Sequence, residues 1–230
     1  MLTFSNLSHI YQQTYALQNI FLTLKKPSFT ALIGPNGAGK STFLKIIAGL
    51  LKPSHGYFEI SPGLTVAYLP QQTHFDRTFP LTVKDVVAMG LWSSLGVVGE
   101  LSAHYNKLLV NAIETVGLSG LENRNLNQLS GGQFQRALFA RMILQDADVL
   151  LLDEPFSAID ESTTDDLLHL LTVWHQQGKT ILAVMHNIDL VRHFFPQTLI
   201  LARQVVAHGA TDRVLNQENI LKAYRLVGAF

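Results

Sequence analysis

Nine consecutive residues, Gly34-Pro35-Asn36-Gly37-Ala38-Gly39-Lys40-Ser41-Thr42, supply three glycines, a lysine and two hydroxyls. Their spacing is that of the phosphate-cradling pattern G-x-x-x-x-G-K-[ST], the P-loop. Glycines let such a loop curl until successive N–H groups point at phosphate oxygens, and the helix that follows adds its positive end. In this arrangement Lys40 reaches the β- and γ-phosphates of ATP, and the Ser41 hydroxyl ligates Mg²⁺. The loop lies between an apolar run, "SFTALIG", and an amphipathic one, "KSTFLKIIAGL", that stops at Gly49 with Pro53 beyond it. Strand, loop and helix are the context the pattern needs.

Three more runs end in residues with chemistry to offer. "DVLLLDE" ends in Asp153 and Glu154, "TILAVMH" in His186, and "TVAYLPQQ" in Gln71. An acidic pair at the end of a buried strand is costly unless a cation meets it. Mg²⁺ bound to ATP is the natural partner of Asp153, and Glu154 then orients or deprotonates the attacking water. A helix-capping or salt-bridged pair is the alternative. His186 is placed to contact the γ-phosphate and hold that water. A Gln71 amide could touch both Mg²⁺ and the water, although Gln72 is adjacent. Tyr11 could stack on adenine; Tyr15 is a rival, and a core or edge tyrosine is the plain reading of either. The remaining eight histidines read as surface or structural.

"LNQLSGGQFQRALFAR" raises a different question. Ser130 followed by Gln133 forms a capping box, and Gly131 and Gly132 leave the first helical amides uncovered. That is either a second anion site or a capped helix with a tight glycine turn.

The elements that must position these groups read as α/β. Short apolar, β-branched runs alternate with helical patterns, as in a parallel sheet, and the last two runs are apolar enough to be buried on both faces. Ligands of such sheets bind beyond the carboxyl ends of the strands, so one rim would receive Lys40, the Asp153–Glu154 pair and His186. The run at 65–71 alternates more and reads as an edge or antiparallel strand. Residues 72–147 have helical spacing without a convincing strand. The expected division is therefore 1–71 and 148–230 for a nucleotide-binding core, with 72–147 as an inserted helical subdomain.

Lys plus Arg and Asp plus Glu number 17 each, so the net charge is zero, which argues against nucleic acid as a partner. Zero cysteines exclude disulfides and fit a reducing compartment. No apolar run has a membrane span's length, and the N-terminus lacks the pattern of a secretory signal.

The P-loop, Gln71, "LSGGQ" at Leu129–Gln133, "LLLDE" and His186, in this order, resemble the ATP-binding cassette (ABC) ATPases. "SAID" at Ser157–Asp160 looks like the family's D-loop, so Asp160 joins the candidate residues. The resemblance spans nearly the whole chain and implies the ABC ATPase fold, a P-loop NTPase sheet core with a helical subdomain. It implies ATP and Mg²⁺ as cofactors, the Mg²⁺ held by Ser41, Gln71 and Asp153. It also implies a head-to-tail homodimer in which Ser130, Gly131, Gly132 and Gln133 of one subunit contact the ATP on the other's P-loop. Two grips per chain then serve two shared sites.

A permease helix would dock in a groove lined by some of Phe75, Phe79, Leu81, Met89 and Trp92, although most of these could equally be core. "FPLTVKDVVAMG" and "VVAHGATDRVLNQENI" look most like ATPase subunits of zinc and manganese importers, with iron-chelate importers the alternative. A soluble ABC ATPase unconnected to a membrane is a further one. An importer implies integral-membrane permease subunits, an extracytoplasmic metal-binding protein, and a place on the cytoplasmic face of the membrane. Two positions depart from the family pattern. Asn187 replaces the acid usually found after the histidine, and Ile159 the leucine often found in the D-loop.

Overall fold

The computed structural model describes residues 1–71, 77, 79–92 and 103–228, in two compact units. The first comprises Met1–Pro70, Asp148–Pro155 and Thr172–Phe230. Its principal sheet runs in the order β5 (Val66–Leu69), β6 (Val149–Leu152), β7 (Thr180–Val184), β3 (Phe29–Ile33), β8 (Gln197–Ala202) and β9 (Gln204–Ala210). All neighbours are parallel except β8 and β9. β3, β6 and β7 are buried at every position, which is why they carry unbroken apolar runs rather than alternating ones.

β5 is an edge strand, as its alternation suggests, but it pairs parallel to β6, Val66 opposite Val149 and Leu69 opposite Leu152. The whole run from residue 70 to residue 148 separates the two strands. Such a crossover returns the chain to the end of the sheet at which β5 began, so the pairing is parallel.

A second sheet, order β2 (Thr14–Leu24), β1 (Leu2–Tyr11), β4 (His55–Ile60), is antiparallel throughout. Helix α1 (Lys40–Ile47) joins the sheets through one apolar core. Phe43, Leu44 and Ile47 pack with Leu7, Leu17 and Ile20 of the small sheet and Leu151, Leu182 and Leu199 of the large one. Among the described residues this unit also holds the end of α5 (Glu161–Gln176), α6 (Ile188–Phe194), α7 (Thr211–Val214) and α8 (Gln217–Val227).

The second unit comprises Gln71–Ala147 and Phe156–Leu171. It holds α2 (Val83–Ala88), α3 (Ala103–Thr115), α4 (Gly131–Gln145) and the start of α5 (Glu161–Gln176). Thr82 and Asp85 form a capping box at α2. α2 and α3 pack on α4 through Val83, Val87, Leu109, Ile113 and the fully buried Phe134 and Leu138.

A division drawn from sequence pattern leaves Phe156–Leu171 in the core, whereas here it groups with the helices. Side chains account for the difference. Arg136 of α4 pairs with Asp166 of α5 at 2.6 Å, and the Phe139 ring lies against Phe156. Those contacts join segments distant in sequence, so no local pattern announces them.

Candidate functional site

The loop from Gly34 to Gly39 links β3 to α1, and Gly39 is the residue preceding the first turn of the helix. Gly39 has φ 89°, and a Cβ there would lie 2.2 Å from the carbonyl oxygen of Ala16 in β2. That oxygen is backbone, Leu17 Cδ2 would lie only 2.8 Å from the same Cβ, and the left-handed φ is itself unfavourable for a side chain, so the position calls for glycine. Gly39→Ala is therefore expected to lower the melting temperature and abolish Mg·ATP binding by calorimetry; retained binding would show that the loop can reshape. The N-cap residue, Gly39, has no side chain with which to cap α1, which leaves the N-terminal amides of the helix available to an anion.

Lys40 is buried, and its Nζ donates to the carbonyls of Gly34 at 2.8 Å and Pro35 at 3.0 Å. Burial pushes the ammonium's pKa down, while Glu154 and Asp153 pull it back up. The lysine thus closes the loop on itself and lies within the field of the acidic pair.

That pair continues β6. The Asp153 amide donates to the Leu69 carbonyl at 2.9 Å, extending the β5–β6 ladder by one step. Ser41 Oγ donates to Asp153 Oδ1 at 3.1 Å and Tyr68 Oη to Oδ2 at 3.2 Å. Burial raises the pKa of Asp153, and these two hydroxyls oppose the rise. Tyr68 itself is pushed well above the ordinary phenol range, first by burial and then by the carboxylate beside it, so it stays a donor.

Glu154 has φ 51°, a left-handed conformation that costs a non-glycine residue about 1–3 kcal/mol. The turn directs the chain out of the strand, and Glu154 Oε1 meets His186 Nε2, beyond the end of β7, at 2.8 Å. A hydroxyl and a carboxylate suited to a hard cation thus adjoin a carboxylate–imidazole pair suited to a water.

In the second unit, Ser130 caps α4. Its Oγ accepts from the Gln133 amide and the Gln133 side chain accepts from the Ser130 amide, both at 3.1 Å. The cap occupies Gln133 N–H and not those of Gly131 and Gly132. A Cβ on Gly132 would lie 3.0 Å from Thr163 Oγ1 and 3.1 Å from Asp160 Oδ2, so the turn packs tightly on the start of α5.

The sequence profile of the family described as ABC transporter matches residues 17–157 of this chain. The chain belongs to that family, as its ATP-hydrolysing cassette. The manganese transport system ATP-binding protein MntB of Listeria monocytogenes is 36% identical over 93% of this chain and 92% of its own length. The zinc transport system ATP-binding protein TroB of Treponema pallidum is 37% identical over 95% of this chain and 85% of its own. Among solved structures, a dimeric ATP-binding cassette in a post-hydrolysis state with ADP and Pi is 28% identical. It superposes with a TM-score of 0.80 over 91% of this chain and 98% of its own.

Within this ABC cassette Asp160, expected from the sequence to lie in a D-loop, has a structural duty. Its carboxylate accepts from the Thr163 amide at 2.8 Å and from Thr163 Oγ1 at 2.9 Å, which holds its pKa low. Asn187, the departure after His186, caps α6, its Oδ1 accepting from the amides of Asp189 and Leu190. An amide serves that cap as well as a carboxylate. Ile159, the residue before Asp160, lies beside the Gly131 position.

Gln71 follows Pro70 at the carboxyl end of β5, as the first residue of the second unit. Of the residues expected to line a docking groove, Phe79 and Trp92 are exposed and Leu81 and Met89 half-buried; Phe75 lies outside the described residues.

The structure separates Tyr11 from Tyr15. Along the β1–β2 hairpin His9 pairs with Leu17, but Ile10 pairs with Tyr15, so Ala16 is an extra residue in β2. Paired side chains share a face, and the bulge turns Tyr15 away from the face of Leu17. Leu17 Cδ2 lies 2.8 Å from where a Gly39 Cβ would stand, so the Leu17 face is the P-loop face. His9 and Tyr11 are on it; Tyr15 shares the other with Ile10. Tyr68 and the Ala16 bulge escaped the sequence reading. A hydroxyl in the apolar run "VAYL" is the signal that could have revealed the first, and a local pattern carries none for the second.

Proposed function

We propose that this chain is the ATP-hydrolysing subunit of a transporter importing a divalent metal ion, zinc or manganese, through a separate membrane permease. The observation that carries the catalytic part is the convergence of Ser41, Asp153, Glu154 and His186 beside an uncapped, lysine-bearing loop. Lys40 and the amides from Gly34 to Thr42 hold the ATP phosphates, Lys40 exchanging its two carbonyl partners for phosphate oxygens. Ser41 and Asp153, one hydroxyl and one carboxylate, would hold Mg²⁺, and Gln71, which follows the end of β5, would be its third protein ligand. When bound, the ion neutralises charge on the β- and γ-oxygens. Glu154 takes the proton from the attacking water, and His186 steadies Glu154 through their 2.8 Å contact and reaches the γ-phosphate. Tyr11, on the P-loop face, stacks on adenine.

The signature residues Ser130, Gly131, Gly132 and Gln133 contact ATP on a second copy of the chain, giving a homodimer with two shared sites. ATP favours the closed dimer because only that state offers the γ-phosphate both sets of donors. Asp160 sits at that interface. Exposed Phe79 and Trp92 face the permease, which holds the cassette at the cytoplasmic side of the membrane. No described helix is long and apolar enough to cross it. The manganese and zinc transport systems among its relatives favour those ions over an iron chelate.

Deleting the gene is expected to lower cellular zinc or manganese severalfold under limitation, measured by plasma mass spectrometry. The intact gene should restore it and a Lys40→Ala gene should not. Unchanged zinc and manganese with lowered iron would reject the ion assignment.

A further inference from the structure

We infer that His9 is a positioning residue that sets the Tyr11 ring as the platform for the nucleotide base. The inference rests on the reading of Tyr11 as that platform.

His9 is buried, with its side chain on the P-loop face of β1 beside Leu17. Its Nδ1 lies 3.0 Å from the Lys52 carbonyl oxygen. A carbonyl oxygen only accepts, so Nδ1 carries a proton and the ring's orientation is fixed. Lys52 lies five residues beyond α1, the helix that begins at the P-loop. The imidazole is thereby tied to the segment that follows the helix beginning at the P-loop. Its ring stands edge-to-face with Tyr11, centroids 4.6 Å apart and planes at 78°. Tyr11 ends β1 and is half exposed, with Thr14 as its cross-strand partner. An exposed aromatic at a hairpin tip has several rotamers to choose from, and only the one held against His9 is available without losing this contact. Holding it beforehand removes an ordering cost from nucleotide binding.

Lys52, His9 and Tyr11 form one chain of contacts, from the segment that follows α1 to the ring assigned to the base. His9 should therefore govern affinity for the base and leave the grip on phosphate untouched.

The test compares Mg·ATP with Mg·tripolyphosphate, which has the phosphates and no base, as ligands of wild-type, His9→Ala, His9→Phe, Tyr11→Ala and His9→Ala/Tyr11→Ala chains. His9→Ala should weaken Mg·ATP by about 3- to 10-fold, a part of what base stacking supplies, and leave Mg·tripolyphosphate unchanged. The KM for ATP should rise with kcat retained at saturation. His9→Phe keeps an aromatic edge against Tyr11 and should recover most of the loss. The double variant should bind ATP no more weakly than Tyr11→Ala alone.

Equal losses for both ligands would make His9 a general structural residue and overturn the inference. So would additive losses in the double variant, or a His9→Ala chain with wild-type ATP affinity. Tyr11→Ala without effect on ATP would instead reject the platform itself, a result distinguishable from failure of His9 alone.

Discussion

Glu154→Gln is expected to bind Mg·ATP as the wild type does and to release phosphate about 10²- to 10⁴-fold more slowly, the range a general base supplies. Glutamine has the size of glutamate and keeps an acceptor for the His186 contact, so the turn at φ 51° and the partner at 2.8 Å should survive. What is lost is the capacity to take a proton. The ATP-bound closed state then has no exit by hydrolysis and should accumulate as dimer in size-exclusion chromatography with Mg·ATP. His186→Ala is the informative companion, because it leaves the carboxylate intact while removing its imidazole partner. It should slow turnover less, without trapping the dimer as completely. Unchanged phosphate release by Glu154→Gln would remove this carboxylate from the reaction and return it to the role of a strained strand-end acid.

Those carboxylates were legible in the sequence for a physical reason. β3, β6 and β7 are buried on both faces, so each announces itself as an apolar run and shows its polar end residue at a fixed place. Parallel strands point the same way, and their end residues gather at one rim. The P-loop was legible because glycine is compulsory where a Cβ would strike Ala16.

What depends on pairing between distant segments was not legible. The antiparallel β1–β2–β4 sheet has mixed inside and outside positions and three register shifts along β1 and β2 alone. The choice between Tyr11 and Tyr15 turns on one bulged residue, Ala16, which reverses the face of everything before it in β2. Tyr68 stands in an apolar strand, and its hydroxyl meets Asp153 only across the β5–β6 pairing. Asn187 looked like a lost acid until its role as a helix cap was visible.

The second large effect concerns ownership of the nucleotide pocket. Lys40→Ala removes the ammonium from the P-loop; Ser130→Arg puts a cation at the positive end of α4, where the capping hydroxyl stood. In a head-to-tail pair each site joins one chain's P-loop to the other chain's signature turn. Every site of either variant alone therefore contains one damaged half. A mixed pair differs: both lesions fall in one site, and the other unites the intact P-loop of the Ser130→Arg chain with the intact turn of the Lys40→Ala chain. In a Glu154→Gln background, Mg·ATP should produce dimers in the mixture and few in either variant alone. Equal mixing makes about half of all pairs mixed, with about one site in four fully intact. Dimerisation by each variant on its own would show that one chain's motifs suffice, and the capping box of Ser130 and Gln133 would then be only the start of a helix. Dimers confined to the mixture require that the amides of Gly131 and Gly132 reach a phosphate their own chain does not hold.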